Sequence, residues 1–194
     1  MPSNLILEHA VYTSAQLPVT RLPHIAFAGR SNVGKSSLIN ALAGQRKPAK
    51  VSASPGKTRS LNFYRAAGIP LYLVDLPGYG YARRSKAEQA AFSRVIEGYL
   101  INNTVLRALV LLLDCRLAPQ ALDIELVGFA GQQHIPLLPV LTKADKCAPR
   151  ERAQRQKHWA ALLDGQVPLL CSSIKGWGVE ALWGELRRAA GIAV

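Results

Sequence analysis

Acidic residues are scarce in this sequence of 194 residues, which holds 12 Asp and Glu against 24 Lys and Arg. No acidic residue lies between Glu8 and Asp75, although that segment is rich in basic ones. A basic face that only keeps the protein soluble is one explanation, but so large and localised an imbalance favours a polyanionic partner. The basic residues of this acid-free segment are Arg21, Arg30, Lys35, Arg46, Lys47, Lys50, Lys57, Arg59 and Arg65.

Cysteine is rare as well, and long apolar runs are missing. Cys115, Cys147 and Cys171 are dispersed without a CxxC pair, which argues against a disulfide framework or a zinc site and for a reducing compartment. The run LRALVLLLDC is too short to cross a membrane and contains Asp114. The N-terminus shows no basic flank before an apolar core, so it does not indicate a signal peptide. We therefore expect a cytoplasmic protein without a membrane span.

Short apolar runs alternate with longer amphipathic segments, a pattern typical of α/β proteins. We predict a three-layer, doubly wound, mostly parallel sheet with one antiparallel strand, contributed by a hairpin at Gly68. The length suits a single domain, residues 1–194, with residues 1–21 as an N-terminal extension packed on it. Gly44 is predicted to end the first helix, and Ser85 to cap the second. The predicted strands are HIAFAG, LNFYRA, PLYLVDL, RALVLLLD, IPLLPVLTK and VPLLCSS, and the predicted helices are KSSLINALAG, SKAEQAAFSRVIEGYLINN, PQALDIELVGFAGQ, PRERAQRQKHWAALLDG and GVEALWGELRRAAG.

The loop GRSNVGKS matches the phosphate-loop pattern G-x-x-x-x-G-K-[ST] between a predicted strand and a predicted helix. Gly29 and Gly34 let the backbone curl so that its N–H groups point inward. Lys35 offers a charge to the β and γ phosphates, and the Ser36 hydroxyl can ligate Mg²⁺. A chance glycine-rich turn is the alternative, but the flanking elements favour a nucleotide site. Its predicted binding residues are Gly29, Arg30, Ser31, Asn32, Val33, Gly34, Lys35, Ser36 and Ser37.

The segment VDLPGYG follows a predicted strand about forty residues after the phosphate loop. Asp75 can hold Mg²⁺ through water, and the Gly78 N–H can contact a γ-phosphate and respond to its loss. An Asp-x-x-Gly turn is common by itself, but its place after a phosphate loop favours a triphosphatase. The binding residues predicted here are Asp75, Leu76, Pro77 and Gly78.

The segment TKAD ends a later strand and predicts which base is bound. Asp145 can accept hydrogen bonds from guanine N1–H and the N2 amine, which adenine lacks, so an ATP-dependent enzyme is disfavoured. The Lys143 stem can lie along the base plane. A helix cap is the simpler interpretation of Asp145. The predicted base-binding residues, including a CSSI segment whose N–H groups could face guanine O6, are Thr142, Lys143, Ala144, Asp145, Ser172, Ser173 and Ile174.

These segments occur in the order found in small GTPases, and five stretches resemble one family closely. LPHIAFAGRSNVGKSSLINAL, SPGKTRSLNFY, LVDLPGYGYA, LLLDCR and LTKADK are similar to the EngB (YihA/YsxC) family of bacterial GTP-binding proteins, in the Era-like branch of P-loop GTPases with a Ras-like fold. The resemblance covers nearly the whole chain. It implies that Thr58 covers the γ-phosphate and ligates Mg²⁺ together with Ser36 and Asp75. Residues beside Thr58 are implied to contact the nucleotide, namely Gly56, Lys57, Arg59 and Ser60.

The resemblance also implies a cellular role. The family is tied to large ribosomal subunit assembly and to normal cell division and septation, so the expected partners are rRNA and the large subunit or its precursor. The protein is expected to act as a monomeric switch controlled by GTP and GDP. A guanine-nucleotide-sensing module that acts directly on division proteins, without significant turnover, is the alternative.

Two departures from the general GTPase pattern affect catalysis. Thr142 stands where most GTPases have Asn. Tyr79 stands where Ras-like enzymes have the Gln that orients the attacking water, so slow hydrolysis is expected. Asn32 has two open interpretations: it ligates a K⁺ that offsets phosphate charge, or it only tolerates a left-handed turn. The candidate catalytic residues are therefore Lys35, Asn32 and Thr58.

Three further expectations concern surface and core. Trp159 and Trp183 are predicted to pack against the sheet. For Trp177, beside the predicted base loop, packing is favoured over a partner contact. Basic residues after Tyr81 could be only solvated, but binding to a partner is favoured for them, namely Arg83, Arg84 and Lys86.

Overall fold

The structure, a computed structural model, describes residues 4–44, 60–80 and 86–193, without the side chains of residues 86–92. Seven strands form one sheet in this part of the chain. The strands are β1 (Leu5–Val11), β2 (His24–Gly29), β3 (Leu61–Ala66), β4 (Tyr72–Asp75), β5 (Leu106–Asp114), β6 (Leu137–Thr142) and β7 (Leu169–Leu170). The helices are α1 (Lys35–Leu42), α2 (Lys86–Asn102), α3 (Ala121–Gln132), α4 (Pro149–Leu162) and α5 (Val179–Ala189).

The strand order is β1-β3-β4-β2-β5-β6-β7. Strand β3 pairs antiparallel with both β1 and β4, whereas β2, β4, β5, β6 and β7 pair in parallel. One strand therefore runs against the other six, which confirms the predicted doubly wound sheet. The carboxyl ends of the parallel strands lie at one edge, and the loops that follow them share that edge.

The N-terminal residues are more than a segment packed on the sheet. Strand β1 forms its outer edge, with Leu5 opposite Ala66 and Val11 opposite Leu61. At the other edge β7 is short and covers only two residues of the predicted strand VPLLCSS. Gly44 follows α1 with a φ of +68°, as expected for a residue that ends a helix. Ser85, the predicted cap of α2, lies outside the described residues.

The core lies on both faces of the sheet. Val110 and Leu112 of β5 pack with residues of α1 and α5, whereas Leu111 of the same strand packs in a cluster with Trp159 of α4. Trp159 and Trp183 are 1% and 2% exposed, which confirms their predicted packing. The Trp183 indole N–H also donates to the Leu42 carbonyl at 3.0 Å, which satisfies a polar group at the end of α1.

Candidate functional site

The predicted phosphate loop joins the end of β2 to the first turn of α1. Asn32 and Gly34 both adopt left-handed backbone angles, with φ of +65° and +106°. Gly34 immediately precedes α1, and the Leu38 N–H donates to its carbonyl at 2.9 Å. A Cβ at Gly29 would lie 2.8 Å from Val33 Cγ1. The loop therefore needs its glycines to curl this tightly in front of a helix N-terminus, which is where anions bind.

Lys35 and Asp75 form an ion pair at the centre of the site. The lysine is 7% exposed and the aspartate 1%. Burial raises the pKa of the Asp75 carboxyl, and the Lys35 ammonium opposes this shift. The two residues, predicted for a phosphate and for Mg²⁺, therefore lie close enough to contact one bound group together.

The segment after β4 is attached directly to the phosphate loop. Ser31 N–H donates to the Tyr79 carbonyl at 2.9 Å, and Tyr79 N–H donates to the Gly29 carbonyl at 3.3 Å. A Cβ at Gly78 would lie 3.1 Å from the Ser31 backbone. Glycine at position 78 thus allows the two predicted phosphate-contacting segments to touch.

The Tyr79 side chain is held by helix α3. Its hydroxyl donates to Asp123 Oδ1 at 2.7 Å, and Asp123 is only 4% exposed. Burial raises the pKa of both groups. Arg30 also contacts this helix end, since its guanidinium donates to Gln120 Oε1 at 3.2 Å. Sequence reasoning missed Asp123, because nothing in the helical pattern of α3 marks it as a partner of Tyr79.

Thr142 and Lys143 both bind carbonyl groups of the phosphate loop. The Thr142 hydroxyl lies 2.6 Å from the Val33 carbonyl and 3.1 Å from that of Leu113; it has one hydrogen, and the shorter distance favours Val33. The Lys143 ammonium donates to the Asn32 carbonyl at 2.6 Å. Thr142, which stands where most GTPases have Asn, therefore links the end of β6 to the phosphate loop.

Asp114 is a second residue that sequence reasoning gave no role. It accepts hydrogen bonds from Lys143 at 2.8 Å and from Arg116 at 2.7 Å. Burial alone would raise the pKa of Asp114, but the bonds from Arg116 and Lys143 outweigh it and lower the pKa to about 2. Its position at the carboxyl end of β5 was the only signal available. Asp114 remains charged and fixes the Lys143 side chain.

The predicted base-reading residues meet at the ends of β6 and β7. Ser172 is fully buried, and its hydroxyl donates to Asp145 Oδ1 at 2.6 Å. This hydrogen bond lowers the pKa of the Asp145 carboxyl, and burial opposes the shift. Asp145 lies inside a short 3-10 segment, Ala144–Lys146, that Lys143 precedes, and no side chain caps that segment. Its carboxylate therefore faces Ser172 and is not used as a helix cap.

The remaining predicted residues either make no contact with the phosphate or base segments that supports their predicted role or lie outside the described residues. Ser60 is buried and its hydroxyl donates to Asn62 Oδ1 at 2.8 Å. Ile174 is 78% exposed. Several predicted residues lie outside the described part of the chain, namely Gly56, Lys57, Thr58, Arg59, Arg83, Arg84 and the side chain of Lys86.

Two absences hold for the described residues. They contain no group of three or more His, Cys, Asp or Glu side chains that could hold a metal ion. Within residues 4–44, 60–80 and 86–193, no helix combines the length and hydrophobicity needed to cross a membrane.

Comparison with known proteins agrees with this geometry. A family model described as "50S ribosome-binding GTPase" matches residues 24–143. The "Probable GTP-binding protein EngB" of Oleidesulfovibrio alaskensis is 55% identical over 190 residues, which cover 98% of this chain and 87% of that protein.

Solved structures share the fold. A crystal structure of a probable GTP-binding protein engB is 24% identical, with a TM-score of 0.71, and the match covers 87% of this chain and 98% of that one. Era in complex with MgGDPNP and nucleotides 1506–1542 of 16S ribosomal RNA is 21% identical, with a TM-score of 0.70, over 88% of this chain and 57% of that one. The long match at 55% identity and the matching family model go beyond fold. The chain belongs to the EngB family of GTP-binding proteins, and this membership supports guanine-nucleotide binding and GTP hydrolysis.

Proposed function

We propose that this protein hydrolyses GTP slowly to GDP and phosphate, and acts as a nucleotide-controlled switch on the large ribosomal subunit or its precursor during assembly. Effects on cell division and septation would follow from that role. The observation that supports the proposal most strongly is the link between the predicted base and phosphate segments. Thr142 and Lys143 bind phosphate-loop carbonyls, and the adjacent Asp145 is held by Ser172. The base and the phosphates of one nucleotide could therefore be bound by two segments that are hydrogen-bonded to each other.

The residues around Lys35 suit a nucleotide together with Mg²⁺. The Ser36 hydroxyl and the Asp75 carboxylate supply hard oxygen donors, which Mg²⁺ prefers, and such sites take few protein ligands because phosphates and water supply the rest. Thr58 is the proposed third ligand. When bound, Mg²⁺ would offset phosphate charge. Lys35 would bind the β and γ phosphates, and the first N–H groups of α1 would point at them.

Tyr79 supports the proposal of a switch with slow turnover. Its backbone bonds to the phosphate loop on both sides, whereas its hydroxyl is used by Asp123 of α3. A hydroxyl held there is not a substitute for the Gln that orients water. A change at the γ-phosphate that moves Gly78 would instead be transmitted through Tyr79 to α3.

Charge supports a ribosomal partner. The net charge is +12, and the acid-free segment includes the phosphate loop. The Era structure, which shares this fold, holds both MgGDPNP and a segment of 16S ribosomal RNA. Cys115, Cys147 and Cys171 are free and buried, as suits the reducing cytoplasm in which we propose that the protein acts as a monomer.

Co-sedimentation with purified ribosomal subunits tests the proposal. We expect the protein to pellet with large subunits more strongly with a non-hydrolysable GTP analogue than with GDP. Retention should fall steeply with added salt, because phosphate contacts release counterions. A Lys35→Ala variant should lose the difference between the two nucleotides. Equal retention with both nucleotides, or indifference to salt, would contradict a switch that binds an RNA surface. Capture by division proteins alone would favour the alternative role.

A further inference from the structure

The loop after β7 presents two large apolar side chains to solvent. Trp177 is 44% exposed and Ile174 is 78% exposed, whereas the other two tryptophans of the sequence are buried. Single exposed apolar residues are common, but an exposed indole and an exposed isoleucine three residues apart on the eight-residue loop 171–178 indicate a contact surface. The packing that the sequence favoured for Trp177 is therefore incomplete.

The covered part of Trp177 contacts a cation. The Arg152 guanidinium lies 5.0 Å from the centre of the indole ring. Its position is fixed, because Arg152 Nε donates to the Cys147 carbonyl at 2.9 Å. A cation over one face of an indole leaves the rest of the ring available for stacking, and a flat aromatic group there would continue a stack that begins at Arg152.

Further basic side chains lie on the two segments that meet where Arg152 contacts Trp177, residues 144–152 and the loop after β7. Lys146 is 59% exposed, and its Nζ lies 3.8 Å from Asp145 Oδ2. The charge of Lys175 also helps to lower the pKa of the Asp145 carboxyl. Arg150 is exposed at the start of α4. The nearby acidic groups are partly occupied, since Glu151 accepts from the Ala148 N–H and Asp145 accepts from Ser172. The surface therefore combines an aromatic face with excess positive charge, which suits a nucleic acid better than an apolar protein segment.

Ser172 connects this surface to the predicted base site. Its N–H donates to the Trp177 carbonyl at 3.0 Å, and its hydroxyl donates to Asp145 while accepting from the Lys175 N–H at 3.1 Å. The backbone that positions Trp177 is thus bonded to the residue that positions the predicted guanine reader. A guanine nucleotide bound at Asp145 would therefore restrict the motion of Ser172 and of the Trp177 backbone.

We propose that Trp177, backed by Arg152, is a stacking platform for one unpaired base of ribosomal RNA, with Lys146, Arg150 and Lys175 binding the flanking phosphates. This inference rests on the proposed function, because that function supplies the RNA. An unpaired base offers the flat face that the indole can accept, and its phosphates match the surrounding charges.

Binding of the protein, loaded with a non-hydrolysable GTP analogue, to a fluorescently labelled single-stranded RNA of about 12 nucleotides tests the platform. Trp177→Leu should weaken binding about tenfold or more, because one stacked base is lost, whereas Trp177→Phe should keep most of the affinity. Arg152→Gln should give an intermediate loss. An RNA of equal length with abasic positions should bind wild type and Trp177→Leu alike. All three variants should keep wild-type GDP affinity.

Three results would overturn the platform. Wild-type RNA affinity in Trp177→Leu would show that the indole does not stack. Equal discrimination between intact and abasic RNA by the wild type and by Trp177→Leu would have the same meaning. A loss of GDP affinity in Trp177→Leu would assign the indole to the nucleotide. Parallel sedimentation with large subunits separates the two proposals: if the wild type pellets with subunits while the variant binds RNA normally, the platform fails and the proposed function stands.

Discussion

At Asp145 a single carboxylate is expected to decide which purine binds. Asp145→Asn should weaken GDP binding at least tenfold and create binding of xanthosine diphosphate, because the amide can donate to the xanthine C2 oxygen but repels the guanine amine. Calorimetric titration of both nucleotides measures the exchange. Ser172→Ala is the matched control: it removes the partner of Asp145 but keeps the carboxylate, so GDP affinity should fall by less and xanthine binding should not arise. Unchanged GDP affinity in Asp145→Asn would remove the guanine assignment.

Asn32 still has two interpretations. Its φ of +65° supports the view that Asn tolerates the turn, and its carbonyl is used by Lys143. Neither fact bears on K⁺, whose ligand would be the side-chain oxygen. If Asn32 binds K⁺, GTP hydrolysis should be faster in KCl than in NaCl at equal ionic strength, and Asn32→Gly should lose that difference.

Glycine is the informative replacement for Asn32, because it accepts the left-handed turn without supplying an oxygen. GDP binding should therefore survive in Asn32→Gly and fall in Asn32→Ala. If the wild type hydrolyses GTP equally in both salts, alone and with large subunits, K⁺ has no part in catalysis.

At the scale of secondary-structure elements, the Thr142 hydroxyl connects the end of β6 to the phosphate loop by its hydrogen bond to the Val33 carbonyl. Thr142→Val keeps the side-chain shape but leaves the Val33 carbonyl without this donor. We expect a loss of about 1–2 kcal/mol in the free energy of unfolding and several-fold weaker GDP binding, because a buried polar group is left unpaired. Urea unfolding and calorimetry measure the two effects.

Thr142→Ser is the control for that change, since it keeps the hydroxyl and should stay close to wild type. Thr142→Val that matched wild type in both measurements would show that Lys143 alone suffices to hold the loop.

How far the sequence predicts this molecule differs between elements and contacts. The mostly parallel sheet with one antiparallel strand, the helix after the phosphate loop and the meeting of Asp75 with Lys35 follow from a sheet whose parallel strand ends share an edge. The sequence did not predict the strand order or that Leu5–Val11 forms an edge strand. The partners of Tyr79 and Lys143 do not follow. Tyr79 meets Asp123 because of where α3 packs against the sheet. Lys143 meets Asp114 because β5 lies between β2 and β6 in the strand order. Such contacts depend on side-chain directions across elements, which local patterns do not contain.

For the whole molecule, the end of the sheet opposite the nucleotide loops contains a buried neutral histidine. His24, the first residue of β2, is 2% exposed. Its Nδ1 accepts from Asn103 Nδ2 at 2.9 Å, and the Asn103 amide orientation is fixed because its oxygen accepts from the Val105 N–H. Burial lowers the pKa of His24 from 6.5 to about 4, and the charge of Arg107 adds to the shift.

The stability of the whole fold should therefore depend on pH through His24. The unfolded chain binds the proton near pH 6.5 and the folded protein only near pH 4, so protonation favours unfolding. The contribution of neutral His24 to the free energy of unfolding is fully present above pH 6.5 and is lost as the pH falls towards 4. The shift corresponds to about 3 kcal/mol. Asp114, with a pKa of about 2, changes the free energy of unfolding only below this pH range.

Urea unfolding between pH 7.5 and about 4.5 should show the decline in wild type. It should be much smaller in His24→Asn, whose oxygen can accept from Asn103 but does not titrate. Asp75 and Asp123 are present in both proteins and cancel in the difference. Equal pH dependence in the two proteins would mean that His24 is protonated as easily in the folded chain as in the unfolded one.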